Sequence, residues 1–221
     1  GVAREQAFAY QLFILEFFMY ADQLANVSQD TPFPEAYQKR MEKMLTFLAA
    51  ILDTSGYMPM VGDADDGAVL KLYGEDKRVI SSHLFSLAAV KFQHADFKYL
   101  AQQRVNASEW LLNTTQQRQL QTLAAQPTDD YPEDFSAGGY IRLQDSSREV
   151  QMLFDVGPLG YLSIAAHGHA DALSVCLSVA GVALLVDACT YGYHRSVKWR
   201  NYFRSTAAHN TVCVDNMDQS E

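Results

Sequence analysis

The first half of the chain carries apolar residues with the period of an α-helix. In residues 5–29, large apolar side chains recur three and four positions apart, which is the spacing of one helix face. The helical pattern is interrupted at residues 31–34. The same period returns in residues 34–53 and, more weakly, in 81–92 and 97–113. Pairs of antiparallel helices joined by short loops are the unit of an α/α toroid. The pattern therefore predicts a helical domain of this kind.

The first predicted helix has a broad apolar face. Its predicted inward residues are Tyr10, Phe13, Ile14, Phe17, Phe18 and Ala21. The longest apolar run, Leu12–Ala21, is interrupted by Glu16 and is much shorter than a membrane-spanning helix requires. We therefore expect this helix to pack in a protein core and expect no membrane span.

The second half of the chain changes to the alternating pattern of β-strands. Apolar and polar residues alternate in 140–143, 150–154 and 173–179. Gly181 marks a hairpin turn into the apolar run 182–187. A linker rich in Pro, Asp and Thr, at residues 126–134, separates the two patterns.

Helices first and strands second indicate an α+β protein of two domains. The predicted boundaries are 1–125 for the helical domain and 135–221 for an antiparallel β-sandwich. Two helical hairpins cannot close a toroid, and five or six strands leave a sandwich incomplete. We therefore expect an incomplete α/α toroid followed by an incomplete β-sandwich. Its exposed edges would be covered by the remainder of a larger chain or by a second copy.

Composition narrows the class of protein. About half of the residues are apolar (48%), as in a globular protein rather than a disordered one. The net charge of −9, taken by itself, argues against both nucleic acid and acidic glycans as partners. The cysteines Cys176, Cys189 and Cys213 show no CxxC spacing and predict neither a disulfide framework nor a cysteine metal site.

Imidazole and carboxylate groups are concentrated after residue 166. His167 and His169 are two residues apart, so on a strand they would share a face. Asp187 ends one apolar run, and His209 begins another at 211–215. Two histidines and a carboxylate on a sheet, with one position left open, form a reasonable zinc set. Because no compact metal motif is present, polar strand residues without a metal are an equally open interpretation.

Basic residues lie beside these histidines. Arg195, Lys198, Arg200 and Arg204 fall within ten residues of sequence. Such a patch in an acidic protein is typical of a cleft that binds carboxylates, and a solvated charged loop is the alternative. Further upstream, the acidic segment Gly62–Gly67 resembles a calcium loop but lacks its terminal Glu, so we interpret it as a tight turn.

Several motifs point to one known family. They are Glu5–Tyr10, Gly62–Gly67, His167–Asp171, Leu185–Asp187, Thr190–Tyr193, Trp199–Thr211 and Asp218–Glu221. The region from 168 to 221 closely resembles the C-terminal part of the heparinase II/III-like polysaccharide lyases, a group that includes oligoalginate lyases. The two upstream motifs resemble the helical domain of the same family. The resemblance implies cleavage of a uronate polysaccharide by β-elimination.

The resemblance also implies roles for individual residues. Tyr10 matches the catalytic tyrosine that donates a proton to the leaving oxygen and can act as the base. His167 matches a histidine that acts as the base or neutralises the substrate carboxylate. Tyr193 lies where some relatives carry a second catalytic tyrosine.

Metal and substrate ligands follow from the same resemblance. His169, Asp187 and His209 match the ligands of a structural Zn²⁺. The substrate-binding candidates are Arg200, Asn201 and Arg204, among which Arg204 suits a carboxylate because a guanidinium can bind it bidentately. The implied partner is an anionic polysaccharide or oligosaccharide, and the implied location is periplasmic or secreted.

One family feature is missing from this sequence. The Asn–His pair or single His that helps to neutralise the carboxylate should precede Tyr10, and residues 1–9 contain neither Asn nor His. We therefore expect the chain by itself to lack part of the catalytic apparatus.

Two other functions fit the same residues. A zinc hydrolase would use the histidines and Asp187 to activate water, and Asp171 would be its general base. A non-catalytic carbohydrate-binding protein would keep the cleft without the chemistry. Removal of zinc distinguishes the zinc hydrolase from the lyase. A hydrolase should lose activity at once, whereas a lyase should first lose stability.

Overall fold

The computed structural model describes residues 1–28, 31–65, 67–70, 77–102, 108–128 and 130–220. Asp66 and Glu221, which belong to two of the sequence motifs, lie outside the described residues. The helices are α1 Phe8–Val27, α2 Glu35–Ile51, α3 Lys77–Phe92, α4 Ala95–Ala101, α5 Ser108–Leu111, α6 Thr114–Thr122 and α7 Val197–Arg204. The strands are β1 Asp134–Phe135, β2 Tyr140–Gln144, β3 Val150–Asp155, β4 Val175–Val179 and β5 Val182–Leu185.

The chain divides into two compact units, each made of several segments. The first unit contains Gly1, Leu12–Ala49 and Gly67–Tyr131, and the second contains Val2–Gln11, Ala50–Asp66 and Pro132–Glu221. Residues 2–11 and 50–66, which the sequence analysis assigns to the helical part, therefore belong to the second unit.

The predicted order of helices before an antiparallel sheet is confirmed. Helices α1 and α2 occupy the two segments with the strongest helical period, and α3 contains the third. The fourth predicted helix falls on α4 and α5, with residues 103–107 outside the described part. Helix α6 was not predicted from its apolar pattern, but Asn113 and Gln116 form a capping box at its start.

The buried face of α1 differs from the predicted one. Leu15 and Met19 are buried together with Glu16 and Asp22, whereas Phe17 is 50% exposed. The helix carries large apolar residues over most of its circumference, so periodicity alone did not determine which side turns inward.

The two buried carboxylates of α1 have partners within the first unit. Glu16 accepts hydrogen bonds from the Tyr20 hydroxyl at 3.1 Å and from the Val69 N–H at 3.1 Å. Asp22 pairs with Lys91, whose Nζ lies 2.7 Å from a carboxylate oxygen. These bonds offset the cost of removing the carboxylates from water, which is why acidic residues occur on the buried side.

The sheet of the second unit is an antiparallel meander in the order β1-β2-β3-β4-β5. Its register places Ile141 opposite Phe154 and Leu153 opposite Cys176. The predicted hairpin at Gly181 is confirmed, since Ala180 and Gly181 both have positive φ between β4 and β5. Inward residues of β2 and β3 are buried, and β5 is exposed along its length.

The placement of the histidines on strands was wrong. His167 and His169 lie in the loop before β4, where His167 has a φ of 62° that a strand does not allow. Asp187 lies two residues beyond the end of β5, and His209 follows a 3₁₀ turn at Thr206–Ala208.

The predicted strand at 211–215 also does not form. Val212 and Val214 are exposed, Cys213 is exposed as well, and Val214 makes only an isolated bridge to Met217. An apolar run becomes a strand only where a neighbour supplies the ladder of hydrogen bonds. Among the described residues, no helix is long and apolar enough to cross a membrane.

The orientation of α1, with Leu15 buried and Phe17 half exposed, can be tested directly. We expect Leu15→Ala to lower the free energy of unfolding by about 2–5 kcal/mol, because Leu15 is fully buried. Phe17→Ala, in the same helix, should cost about 1 kcal/mol or less, because half of Phe17 already faces solvent. Urea denaturation of both variants measures the difference. Equal losses would contradict the observed orientation of α1.

Candidate active site and metal centre

Three potential metal ligands meet in the second unit. The side chains of His169, Asp187 and His209 are buried, and their potential ligand atoms all lie within 4.8 Å of one another. His169 Nδ1 is 3.1 Å from His209 Nε2, and that nitrogen is 3.7 Å from Asp187 Oδ1. The sequence predicted this set as metal ligands, and the structure brings the three together from loops rather than from strands.

The outer nitrogens of both imidazoles are held by acceptors. His209 Nδ1 lies 2.8 Å from the carbonyl oxygen of Ser205, so it carries a proton and donates. His169 Nε2 lies 3.0 Å from Oδ1 of Asp63. These bonds leave the lone pairs of His169 Nδ1 and His209 Nε2 facing each other, an arrangement that a cation between them would stabilise.

The third ligand candidate supports the same interpretation. Asp187 Oδ1 accepts a hydrogen bond from the Cys189 N–H at 2.6 Å, while Oδ2 is buried without a partner among the described residues. Two imidazole nitrogens and a carboxylate are a typical zinc donor set. The residues present therefore fit a zinc ion.

Three carboxyl groups are buried around this centre. Burial raises the pKa of Asp187 to about 7 and that of Asp155 to about 6. Burial, followed by the charge of Asp155, raises the pKa of Asp171 to about 7. A cation held by His169 and Asp187 would favour the ionised form of these groups.

A second group of side chains lies close by and contains the predicted catalytic residues. The hydroxyls of Tyr10 and Tyr193 are 2.7 Å apart. The ring of His167 packs against that of Tyr10, with centroids 4.2 Å apart, and the Arg200 guanidinium lies 4.9 Å above the Tyr193 ring. The structure thus brings Tyr10 together with His167, Tyr193 and Arg200, which follow it by more than 150 residues.

Burial holds the protons on both phenols. It raises the pKa of Tyr10 and, together with the hydrogen bond between the two hydroxyls, raises the pKa of Tyr193 well above its ordinary value. Either oxygen can be the donor in that hydrogen bond, so one phenol can stabilise the other when one of them loses its proton.

Asp63 joins the two groups, and the sequence analysis missed it. Its carboxylate accepts hydrogen bonds from His169, from the Thr190 hydroxyl at 2.9 Å and from both terminal nitrogens of Arg200. The second oxygen lies 3.5 Å from His167 Nδ1. Burial alone would raise the pKa of Asp63, but bonds from His169, Arg200 and Thr190 outweigh it and hold the pKa well below its usual range.

The acidic segment around Asp63 is a site component rather than a simple turn. Asp63 faces the histidines, while Asp65 lies 3.3 Å from the Tyr10 hydroxyl. The available signal was the resemblance of Gly62–Gly67 to the family's helical domain, which attached no role to any one carboxylate.

The remaining candidates differ in their exposure. The basic stretch, which the sequence indicates as part of a carboxylate-binding cleft with a solvated loop as the alternative, forms helix α7, begun by a Ser196 side-chain cap. Arg200 turns toward Asp63, whereas Asn201 and Arg204 are exposed. Asp171, the candidate base of a zinc hydrolase, is 4% exposed.

A known protein family matches the C-terminal part of the chain. Residues 127–221 match the family described as Heparinase II/III-like, C-terminal. The resemblance inferred for residues 168–221 is thereby confirmed. No curated protein sequence matches the chain.

Solved structures share the fold over nearly the whole chain. A heparinase III is 24% identical over 99% of this chain and 30% of its own, with a TM-score of 0.73. The heparan sulfate lyase HepC from Pedobacter heparinus is 20% identical over 98% of this chain and 30% of its own, with a TM-score of 0.70. The chain therefore spans about 30% of the length of these structures.

The close approach of three segments at Gly62 can be tested by adding one methyl group. A Cβ at this position would lie 2.6 Å from the Gln6 carbonyl oxygen and 2.9 Å from that of His167, and φ is +69°. Because both obstacles are backbone, we expect Gly62→Ala to lower the free energy of unfolding by more than about 1 kcal/mol.

Gly192 provides the matched control. A Cβ there would meet only the Arg195 side chain, at 3.6 Å, which is ordinary contact. Thermal unfolding of both variants gives the comparison. A Gly62→Ala protein as stable as the Gly192→Ala protein would show that the approach is not tight.

Proposed function

We propose that this chain, whose residues 127–221 belong to the heparinase II/III-like C-terminal family, forms part of a polysaccharide lyase. Its substrate is a uronic-acid-containing polysaccharide, cleaved by β-elimination. The observation that carries this proposal is the convergence of two hydrogen-bonded tyrosines, an imidazole and a guanidinium. The structures that share the fold include a heparinase III and a heparan sulfate lyase, which supports an acidic polysaccharide as the substrate.

The reaction sets three requirements. A base must remove the proton on C5 of the uronate, and the C4–O4 bond breaks as the C4–C5 double bond forms. The departing O4 then takes a proton from an acid. Because the neighbouring carboxylate is charged, the C5 proton is hardly acidic until that charge is neutralised or hydrogen-bonded.

The tyrosine pair can supply the acid and the base. Tyr10, whose phenolate would accept a hydrogen bond from Tyr193, takes the C5 proton when that proton lies on the same face. It then returns the proton to O4. Tyr193 stays protonated and stabilises charge on the Tyr10 oxygen, which lies 2.7 Å from its own.

We assign neutralisation of the substrate carboxylate to the basic side chains. His167 packs against Tyr10 and is partly exposed, so it can reach the group next to C5. Arg200 already pairs with Asp63, so we assign it a role at the cleft wall beside Tyr193. Arg204 and Asn201, exposed on α7, are left to contact more distant parts of the polymer.

The zinc ion of the proposal is structural. His169, Asp187 and His209 would hold it, and when bound it would supply positive charge that fixes three loops beneath the cleft. Elimination has no water nucleophile, so no step requires the ion to activate water. This distinguishes the proposal from a zinc hydrolase, which would use the same ligands.

The proposal includes the larger architecture and location. The helical unit would be part of an α/α toroid and the sheet part of a β-sandwich. A periplasmic or secreted location would give access to the polymer.

The catalytic assignment is tested with the full-length protein and a panel of uronate polymers. We expect ultraviolet absorbance of the unsaturated product to rise with one polymer. Tyr10→Phe and His167→Ala should each lower kcat/KM by about 10²–10⁴-fold, because each removes a proton-transfer or charge-neutralising group.

Tyr202→Phe is the control for loss of a phenolic hydroxyl, since Tyr202 is exposed on α7 and outside the tyrosine pair. It should keep wild-type kinetics. Absence of product from every polymer, in a folded protein that contains zinc, would favour a carbohydrate-binding protein instead.

Removal of zinc separates the lyase from the hydrolase. We expect a chelator to lower Tm, by about 2–4 °C for each kcal/mol of lost binding energy, and activity to fall only as the fold loosens. His209→Ala should have the same effect without a chelator. Zinc content, Tm and activity are measured in parallel, and immediate loss of activity at unchanged Tm would indicate metal-activated water.

A further inference from the structure

We propose that Asp63 is a positioning residue that couples the metal centre to the catalytic cleft. One carboxylate orients a candidate zinc ligand on one side and the residues around the tyrosine pair on the other. This inference rests on the proposed function and extends it to a residue outside both the predicted metal set and the predicted catalytic set.

The carboxylate of Asp63 has its acceptor positions occupied by the protein. Oδ1 accepts from His169 Nε2 at 3.0 Å and from Thr190 Oγ1 at 2.9 Å, and Oδ2 accepts from Arg200 Nη2 at 2.7 Å. A second Arg200 nitrogen binds Oδ1. The Asp63 side chain is 2% exposed. A carboxylate has about four acceptor positions, so Asp63 orients other side chains rather than binding substrate itself.

Toward the metal centre, Asp63 determines which nitrogen of His169 is free. An imidazole has two nitrogens, and the bond to Asp63 fixes the proton on Nε2 and turns Nδ1 toward His209. This is the carboxylate–histidine arrangement that increases the basicity of a ligating imidazole and fixes its orientation.

Toward the cleft, Asp63 determines where Arg200 lies. The guanidinium binds the carboxylate with two parallel donors, a geometry that fixes its plane. In that position it lies 4.9 Å above the ring of Tyr193, whose hydroxyl is 2.7 Å from that of Tyr10. The order of contacts from metal to catalytic phenol is His169, Asp63, Arg200, Tyr193 and Tyr10.

The backbone around Asp63 holds the carboxylate in place. Its N–H donates to the carbonyl oxygen of His167 at 3.0 Å, and the next N–H, of Ala64, donates to Thr190 Oγ1 at 3.0 Å. The carboxylate therefore cannot follow Arg200 or His169 independently. Displacement on one side changes the geometry on the other.

Asp63→Asn in the full-length protein tests the coupling. The amide keeps the size of the carboxylate but cannot accept from His169 and Arg200 with full negative charge. We expect zinc affinity, measured by competition with a chromogenic chelator, to fall about 10–100-fold. At saturating zinc, kcat should still fall at least tenfold with a smaller change in KM, because Arg200 no longer holds Tyr193.

Asp53→Asn is the matched control for loss of a buried carboxylate. Asp53 lies in the same unit and accepts hydrogen bonds from its near neighbours in sequence, the Ser55 and Tyr57 N–H groups. It should lower Tm while zinc affinity and kcat stay at wild-type values. If Asp63→Asn behaves like Asp53→Asn, its role is only structural and the inference is overturned.

Arg200→Lys is a second variant that leaves the buried carboxylate in place. Lysine keeps the charge but cannot bind Asp63 with two parallel donors. Because Arg200 and His169 bind the same carboxylate, we expect this change on the cleft side to weaken zinc binding several-fold. Unchanged zinc affinity in Arg200→Lys would contradict the coupling.

A crystal structure of zinc-loaded Asp63→Asn gives a readout that needs no turnover. We expect the Arg200 guanidinium to leave its position above Tyr193 and the His169 ring to rotate. Retention of both positions would overturn the inference even for a protein that cleaves no polymer. A different outcome would reject the proposed function alone. In that case the wild-type protein cleaves no polymer, but the variants still show a displaced Arg200 and weaker zinc binding.

Discussion

A single buried carboxylate organises the second unit of this chain. Asp63 neutralises the charge of Arg200 and accepts a hydrogen bond from His169, whose side chain solvent does not reach. Burying either partner without this carboxylate would cost free energy. The sheet does not carry these groups on its strands. It supports loops whose ends are fixed by charge-assisted hydrogen bonds to Asp63, so the precision of the site depends on electrostatics more than on strand geometry.

This arrangement places two kinds of chemistry side by side. His169, His209 and Asp187 are buried together in an arrangement that suits a cation, whereas Tyr10, Tyr193 and His167 are partly exposed. Gly62 makes the proximity possible, because any side chain there would strike the backbone of Gln6 and His167. The proposed structural ion and the proposed acid–base pair can therefore lie side by side and keep separate roles.

Much of the fold was predictable because it depends on local periodicity. The strands at Tyr140–Gln144 and Val150–Asp155, and the turn at Gly181, followed from alternation and from a residue that tolerates positive φ. The phase of α1 was not predictable, since a helix apolar on most sides gives no preferred face. The expected strand at 211–215 does not form because, in the part of the chain that the structure describes, no strand pairs with it.

The sequence by itself determined the types of element, their order and the residue types of the candidate site, including Tyr10, His167 and the set His169, Asp187 and His209. These are local or motif-based properties. Only the tertiary structure decided that loops bring them together and that Asp63 stands between the two groups. The reason is physical. From sequence, a carboxylate in an acidic turn is expected at the surface, because the hydrogen-bond donors that surround Asp63 in the fold lie more than 100 residues away along the chain.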